Sequence, residues 1–580
     1  MALTPHDVIR EDRADGAIIL RARAPLGEVV ARTTDWLDHW AAATPDAVFL
    51  AERNGDGWRE VTYAEAQRIA VGIARVLVAR GLGPDTPILI ITGNSVAHGL
   101  LALGAQYVGV PIVPLAEQYA AIAAANGRLD EAVALTQPAA VFAEVEMPAL
   151  ARESLKGLIH FTAAGLLAEA ETSQSDIAAV RAAVGPDSVA KILMTSGSTS
   201  APKGVLTTHR MMCTNQAQIA ACLPFLTERP PVLVDWLPWN HVFGGSHNFN
   251  MVLANGGSLY IDGGKPIPAL LPKMIENNRL KQATISFNVP VGFAALRDAM
   301  KDDPGFAKAC FQDLDMLFYA GASLPQDVWA DLSAMAEAAG AKTLFTSSWG
   351  LTETAPAALL QHELTDQSGV IGVPLPGVDV KLIPDADMRC EVRVRGPSIF
   401  TTYLNAPDKT AEAFDEEGYF ITGDAVRFID PANANAGLRF DGRLSEDFKL
   451  TTGTWVRAAN LRLEVLVALK GMVQDVCLVG EGRDEVGLLI VPSPALQGER
   501  ADGAVQVEAA PIQAAMAGFT GGSAMRIARA LVMADPPSMA DGEITAKGNL
   551  NFAKLQSRRA ALVDRLYDDA DPATIKIGGT

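Results

Sequence analysis

The 580-residue chain has no apolar run near the ~18 residues that a membrane-crossing helix needs. Its opening, MALTPHDVIREDRADG, lacks the apolar stretch of a secretory leader. Five cysteines, at 213, 222, 310, 390 and 477, are odd in number and scattered. They form neither a CxxC pair nor a Cys/His ligand set, so no disulfide framework or structural zinc is expected. Such thiols suit a reducing cytoplasm. Positive charge is scarce: 48 Lys and Arg stand against 67 Asp and Glu, a formal net charge of −19. That balance argues against a nucleic-acid partner. An anionic ligand would then need local positive charge or a metal ion. Tandem repeats and a convincing nucleophilic triad are also absent.

What is present is ample for two or more packed domains, with 49% hydrophobic and 20% charged residues. Thr62 to Gly81 has helical periodicity, opens on threonine and closes on glycine. ILIITGN (88–94) and VGVPIVPL (108–115) read as buried strands, as do VLVDWLP, QATISFNVP and MLFYAGA further on. The expectation is an α/β fold whose strands are largely buried. From about 370 to 444, strand-like pieces alternate with Gly/Pro turns and predict a β-rich subdomain. The chain thus divides into a large N-terminal unit, 1–444, of two mixed α/β subdomains plus that β-rich part. A small α+β unit follows at 445–580.

The most informative motif is TSGSTSAPKG, Thr195 to Gly204. Small hydroxyl and glycine residues leave backbone N–H groups accessible to phosphate oxygens, and Lys203 adds a mobile positive charge. It is not a Walker A loop: Lys203 precedes Gly204, and Val205 stands where a magnesium-binding hydroxyl would be. A flexible linker is the plain alternative. The preceding VAKILM reads as a strand, and Thr207 to Ile219 as the start of a helix, which suggests strand, loop and helix around phosphate. Three further clusters are individually weak. SSWGLTETAP (347–356) places Thr352 beside Glu353, as a phosphate and magnesium pair or merely a capped helix start. YFITGDAVRF (419–428) offers Asp424 to ribose hydroxyls, or is a hairpin turn. Arg443 and Lys449 in DGRLSEDFKLTTGTWV, and Lys547 in GEITAKGN, could each be ordinary surface charge.

Taken in order, these segments resemble the ANL superfamily of adenylate-forming enzymes over roughly residues 35 to 555. LPWNHVFGG, YAGASLP, VRGPSIFTTYLNAPDKTAEAF, ITGD and GRLSEDFK carry the likeness beside the loop and WGLTETAP. Within the superfamily, TSGSTSAPKG, LPWNHVFGGSHNFNMVLANGGSLYID and GEITAKGN look most like feruloyl-CoA synthases.

The resemblance implies ATP, Mg²⁺ and coenzyme A as reactants or cofactors, and a small carboxylic acid as substrate. Thr195, Ser196, Gly197, Ser198, Thr199 and Lys203 would grip the β- and γ-phosphates. Thr352 would contact the α-phosphate and Glu353 would hold Mg²⁺. Asp424 would bind the ribose with Arg443 assisting, and Gly321 would lie near adenine and acyl group. His241 would orient the acid, with Phe243, His247 and Trp349 lining its pocket. Asn248, Asn250, Phe287 and Val289 are weaker additions. The small unit would rotate about Ser445, bringing Lys449, near Gly453, to the thioester step. Lys547 would serve adenylation, although Asn549 occupies the family's usual lysine place. Ser200 and Trp349 also replace a more usual glycine and tyrosine. The competing readings are a fatty acyl-CoA ligase, an enzyme loading a separate carrier protein, since no carrier-like unit follows Thr580, and a non-catalytic nucleotide sensor. Acid identity and oligomeric state stay open.

Overall fold

A computed structural model describes residues 2–195, 202–469, 471–493, 496, 498–538, 541–544 and 550–577. The predicted helix forms at Tyr63–Ala79. Thr62 Oγ1 accepts the Glu65 N–H at 3.2 Å, and Gly81 ends the run at φ +73°. Ala66, Ala70, Ile73, Ala74 and Leu77, spaced at three and four, form its buried stripe. The strands at Ile88–Ile91, Ile112–Leu115, Val232–Asp235, Ile285–Asn288 and Met316–Tyr319 fall inside the apolar runs that suggested them.

Among the described residues, three sheets carry the large unit. A six-stranded sheet runs Lys203–Thr208, Val189–Thr195, Ile112–Leu115, Ile88–Ile91, Ala140–Ala143, Ile159–Phe161, parallel except at its first strand. A four-stranded sheet joins Val232–Asp235, Ser258–Ile261, Val48–Asn54 and Gly57–Thr62. The third has eleven strands. It is parallel through Ile285–Asn288, Met316–Tyr319 and Leu344–Gly350. It then turns antiparallel through the strands between 357 and 443. Its far edge is closed by the N-terminal hairpin Val8–Asp12 and Ile18–Ala22, which pairs with Asp379–Pro384. The β-rich stretch is therefore continuous with the α/β part.

A separate core begins at Phe448 and packs Val465, Leu488, Ile490, Ile512 and Val532 behind the sheet centred on Val486–Pro492 and Ile527–Met533. The architecture is a large N-terminal α/β unit with a small C-terminal one. Buried Arg389 ties the chain on both sides of residues 443–446, pairing with Asp441 at 3.0 Å and Asp447 at 2.5 Å.

Two local expectations are overturned. The TSGSTSAPKG segment does not lead directly into a helix: Lys203–Thr208 forms an antiparallel strand on Val189–Thr195, and the helix starts only at His209. Val205 and Thr207 turn to the buried side, an alternation that favours pairing over helix. Nor is Thr-Gly-Asp a hairpin turn. It lies within the long strand Phe420–Phe428, where Gly423 takes φ +72° and the register shifts after Asp424.

Candidate functional site

The strand Leu344–Gly350 ends beside the short turn Thr352–Thr354. Gly350 is required there, because a Cβ would lie 1.7 Å from the Pro356 carbonyl oxygen. The close approach exposes Thr352 partly and buries Glu353. Tyr403 donates its hydroxyl to Glu353 Oε1 at 2.9 Å, and Phe400 N–H donates to the Glu353 carbonyl at 2.8 Å. Lys203 Nζ lies 4.6 Å from the centre of the Tyr403 ring, a cation–π contact. Leu404 N–H donates to the Gly204 carbonyl at 2.8 Å, fastening the Tyr403 segment to the strand after the phosphate loop. Burial and the neighbouring Glu353 push the Tyr403 phenol upward, so it stays a neutral donor.

Asp424 and Arg443 face each other in register on adjacent strands. Arg443 Nε is 3.4 Å from Asp424 Oδ1, and the Trp349 indole N–H donates to Oδ2 at 2.9 Å. Asp424 is 2% exposed. Burial raises its pKa, while Arg443 and Trp349 oppose the rise. Oδ1 has no hydrogen-bond donor among the described residues. A buried acceptor in that condition is unusual in a structure at rest and fits a missing hydroxyl partner.

The second half of the site lies on the segment after LPWNH. His241 is half-buried, and its Nδ1 accepts the Phe243 N–H at 3.2 Å. Phe243–Asn248 forms a π-helical turn, a rare geometry that opens the normal helical hydrogen-bond pattern. Gly244 and Gly245 allow it: Cβ atoms there would lie 2.3 and 2.2 Å from the carbonyl oxygens of Leu237 and Trp239. Phe243 and His247 pack with Phe287 and Phe318, ring centres 5.0–5.9 Å apart. Burial lowers the His247 pKa to about 4, so the ring is neutral. Its Nδ1 meets Asn248 Oδ1 at 2.9 Å, while Nε2 has no hydrogen-bond partner among the described residues. Asn248 donates to Asp235 at 2.8 Å, and burial raises that carboxyl to about 7. Asn250 is buried. Exposed Gly321, at φ +87°, sits beside Val289.

The structure thus gathers Lys203, Glu353, Asp424, Arg443 and Trp349 on one side, and Phe243, His247, Asn248 and Phe287 on the other. The sides are joined through neighbouring parallel strands, with Tyr319 opposite Ser347. Trp349 is placed by its indole on the carboxylate side. Thr195 ends its strand at the mouth of the loop. Ser196, Gly197, Ser198, Thr199, Ser200 and Lys547 lie outside the described residues. Ser445 is exposed on the connection to the small unit, and Lys449 is exposed on that unit's first strand, Phe448–Lys449. Sequence reasoning missed Tyr403 and Phe318. Tyr403 lies inside a quoted segment, but only the fold shows that its hydroxyl reaches Glu353.

Mg²⁺ commonly takes one or two carboxylates and completes its shell with substrate phosphates and water. Buried Glu353, joined through Tyr403 to the neighbourhood of Lys203, fits that pattern. Among the described residues no cluster of three or more His, Cys, Asp or Glu could hold a metal without a substrate. No helix there is long and apolar enough to cross a membrane.

A family model described as AMP-binding enzyme matches residues 37–404, and one for the AMP-binding enzyme C-terminal domain matches 449–571. A long-chain-fatty-acid–CoA ligase of Salmonella typhimurium is 29% identical over 315 residues, 52% of either chain. The chain therefore spans about half the length of that curated relative. A ligase of Mycobacterium tuberculosis that acts on a methyl-dioxo-octahydroindenyl propanoyl group is 26% identical over 470 residues, covering 78% of this chain and 86% of its own. ATP-bound MatB from Rhodopseudomonas palustris shares the fold at TM-score 0.69 and 22% identity, over 93% of this chain and 99% of its own.

Proposed function

We propose, from the premise that this chain belongs to the AMP-binding enzyme family, that it is an ATP-dependent acid–CoA ligase. It adenylates a carboxylic acid, releasing pyrophosphate, and then passes the acyl group to the thiol of coenzyme A, releasing AMP. The observation that carries this reading is the grouping of Lys203, Tyr403 and Glu353 with Trp349, Asp424 and Arg443. One set suits a polyphosphate and the other a ribose with two hydroxyls.

In the first half-reaction the acid's carboxylate oxygen attacks the α-phosphorus, and the bond to pyrophosphate breaks. Two anions must meet, so positioning and charge neutralisation are the protein's main contribution. Lys203 and the loop hydroxyls hold phosphate, Thr352 faces the α-phosphate, and Asp424 with Arg443 holds the ribose. Glu353, oriented by Tyr403, would hold Mg²⁺, which supplies charge neutralisation at the phosphates when bound. His241 borders the acid, while Trp349 holds Asp424 through its indole N–H. Lys547 is assigned to this half-reaction, and Lys547→Ala should lose pyrophosphate exchange. The unit beginning at 445 turns about Ser445 and presents Lys449 for thioester formation.

The acid we assign is an aromatic, hydroxycinnamate-like one such as ferulate. The ring cluster of Phe243, His247, Phe287 and Phe318 supports a flat, rigid acyl group. The fatty-acid ligases among the relatives favour a second reading, a medium- or long-chain acid. Release of AMP across cinnamic, benzoic and straight-chain acids, with and without coenzyme A, tests both. Turnover of ferulate well above octanoate supports the first, and the reverse order supports the second. AMP release without any gain from coenzyme A points instead to another acceptor, such as a carrier protein.

A further inference from the structure

Resting on the ligase reading above, we propose that Lys191 is a positioning residue. It holds the π-helical turn 243–248 against the strand that leads into the phosphate loop, and so sets the acid's place relative to ATP.

Lys191 lies four positions before Thr195 on the strand Val189–Thr195. It is opposite Ile112 on one neighbouring strand and Thr207 on the other. The residue is 4% exposed, on an inner strand next to the sheet's edge, where an amine is costly to desolvate. A lysine there is not solubilising a surface. Nor does it form a buried ion pair, since no carboxylate pairs with it among the described residues. Its ammonium or amine instead donates to the Gly245 carbonyl and lies 3.5 Å from Ser246 Oγ. Both belong to the π-helical turn.

A turn of that kind leaves backbone groups displaced from their ordinary helical partners, so an outside donor has a carbonyl to serve. The turn is confined on its other face by the Leu237 and Trp239 carbonyls, against which Gly244 and Gly245 have no spare room. Lys191 gives the turn one outside donor, and Gln216 Nε2 gives it another, donating to the His247 carbonyl at 3.2 Å. A small cavity lies beside the contact, lined by Lys191, His98, Gln106, Trp239 and Gly245. Without the lysine's reach the turn would face that space. Phe243 and His247 ride on the turn, so its displacement moves two of the four rings that border the acid. Asp424 and Arg443, on strands of the separate eleven-stranded sheet, would stay where they are. Misplacement of a reacting group by about 1 Å costs on the order of a hundredfold in rate.

The test compares wild type, Lys191→Met, which keeps length without a donor, and Lys191→Gln, which keeps a shorter donor. KM for ATP and for the acid turned over by wild type are read from pyrophosphate release, and amide hydrogen exchange is followed along the chain. The expected result for Lys191→Met is an acid KM raised at least tenfold, with ATP KM within twofold. Exchange should be at least tenfold faster in residues 243–250 and unchanged in the strand 420–428. Lys191→Gln should fall between, and it carries the same comparison should the methionine variant not fold. Unaltered exchange in 243–250, or an acid KM unmoved in both variants, overturns the proposal. So does a joint rise of both KM values with faster exchange everywhere, which would make Lys191 a general support of the fold. Should wild type activate no acid, the ligase reading fails by itself, and the exchange data still decide whether Lys191 anchors the turn.

Discussion

On the proposed nucleotide side of the site, charged groups stand beside defined polar partners: Glu353 with Tyr403, Asp424 with Trp349 and Arg443. On the acyl side, Phe243, Phe287, Phe318 and neutral His247 make contact by shape, and a ring nitrogen is left unmatched. Under the proposed function, the first half suits a ligand whose charges are fixed, and the second suits one whose outline decides fit. Charge chemistry restricts residue type tightly, whereas outline can be met by many apolar combinations. That is why the class of reaction is easier to read than the acid.

The difference can be broken at either half. Glu353→Gln removes one negative charge from the phosphate side, and acid-dependent pyrophosphate exchange should fall ~100- to 1,000-fold, as for loss of one electrostatic group in other active sites. A fall of less than fivefold would take Glu353 out of the chemistry. Phe287→Ala should lower kcat/KM for the preferred aromatic acid about 10- to 200-fold and leave ATP KM within twofold. Equal losses on both substrates would erase the distinction between the halves. Trp349→Phe leaves Asp424 Oδ2 without its donor, worth about 1 kcal/mol, so ATP KM should rise ~5-fold. An acid KM that moves instead would shift Trp349 to the acyl side.

The smallest effect concerns pH. Burial raises Asp235, behind the acyl turn, to about 7. Between its ordinary value, 3.8, and about 7 the native chain keeps a proton that the unfolded chain has shed. Stability from this group is therefore full below 3.8 and is lost as pH rises toward 7, at no more than ~1.4 kcal/mol per pH unit. Asp235→Asn should remove that slope, so thermal melts from pH 4 to 8 should show the variant gaining on wild type as pH rises. Parallel curves would contradict it.

Legibility followed the range of the interactions. The helix Tyr63–Ala79 was readable because its stripe, its threonine cap and its closing glycine all lie within one segment. Buried strands such as Ile88–Ile91 announced themselves as short apolar runs. The strand Lys203–Thr208 carries no such local sign, since its six residues gain their conformation by pairing with Val189–Thr195. The Thr-Gly-Asp stretch misled for the same reason: a positive-φ glycine looks like a turn until both neighbouring strands are known. Lys203, Glu353, Asp424 and Arg443 carry types and order that point to phosphate and ribose. Tyr403 and Lys191 reach partners 50 and 54 positions away and leave no local sign.

The hairpin formed by residues 8–22 is easily mistaken for a dispensable leader, because the matched family region begins only at 37. It seals one rim of the eleven-stranded sheet, and its outer strand, VIRED, opens on two apolar residues and ends on three charged ones. A chain trimmed to start at residue 37 would leave the Asp379–Pro384 strand with a bare row of amides and carbonyls. Unprotected rims of that sort recruit other strands. Such a shortened protein should clump on concentration, however intact its nucleotide groups remain.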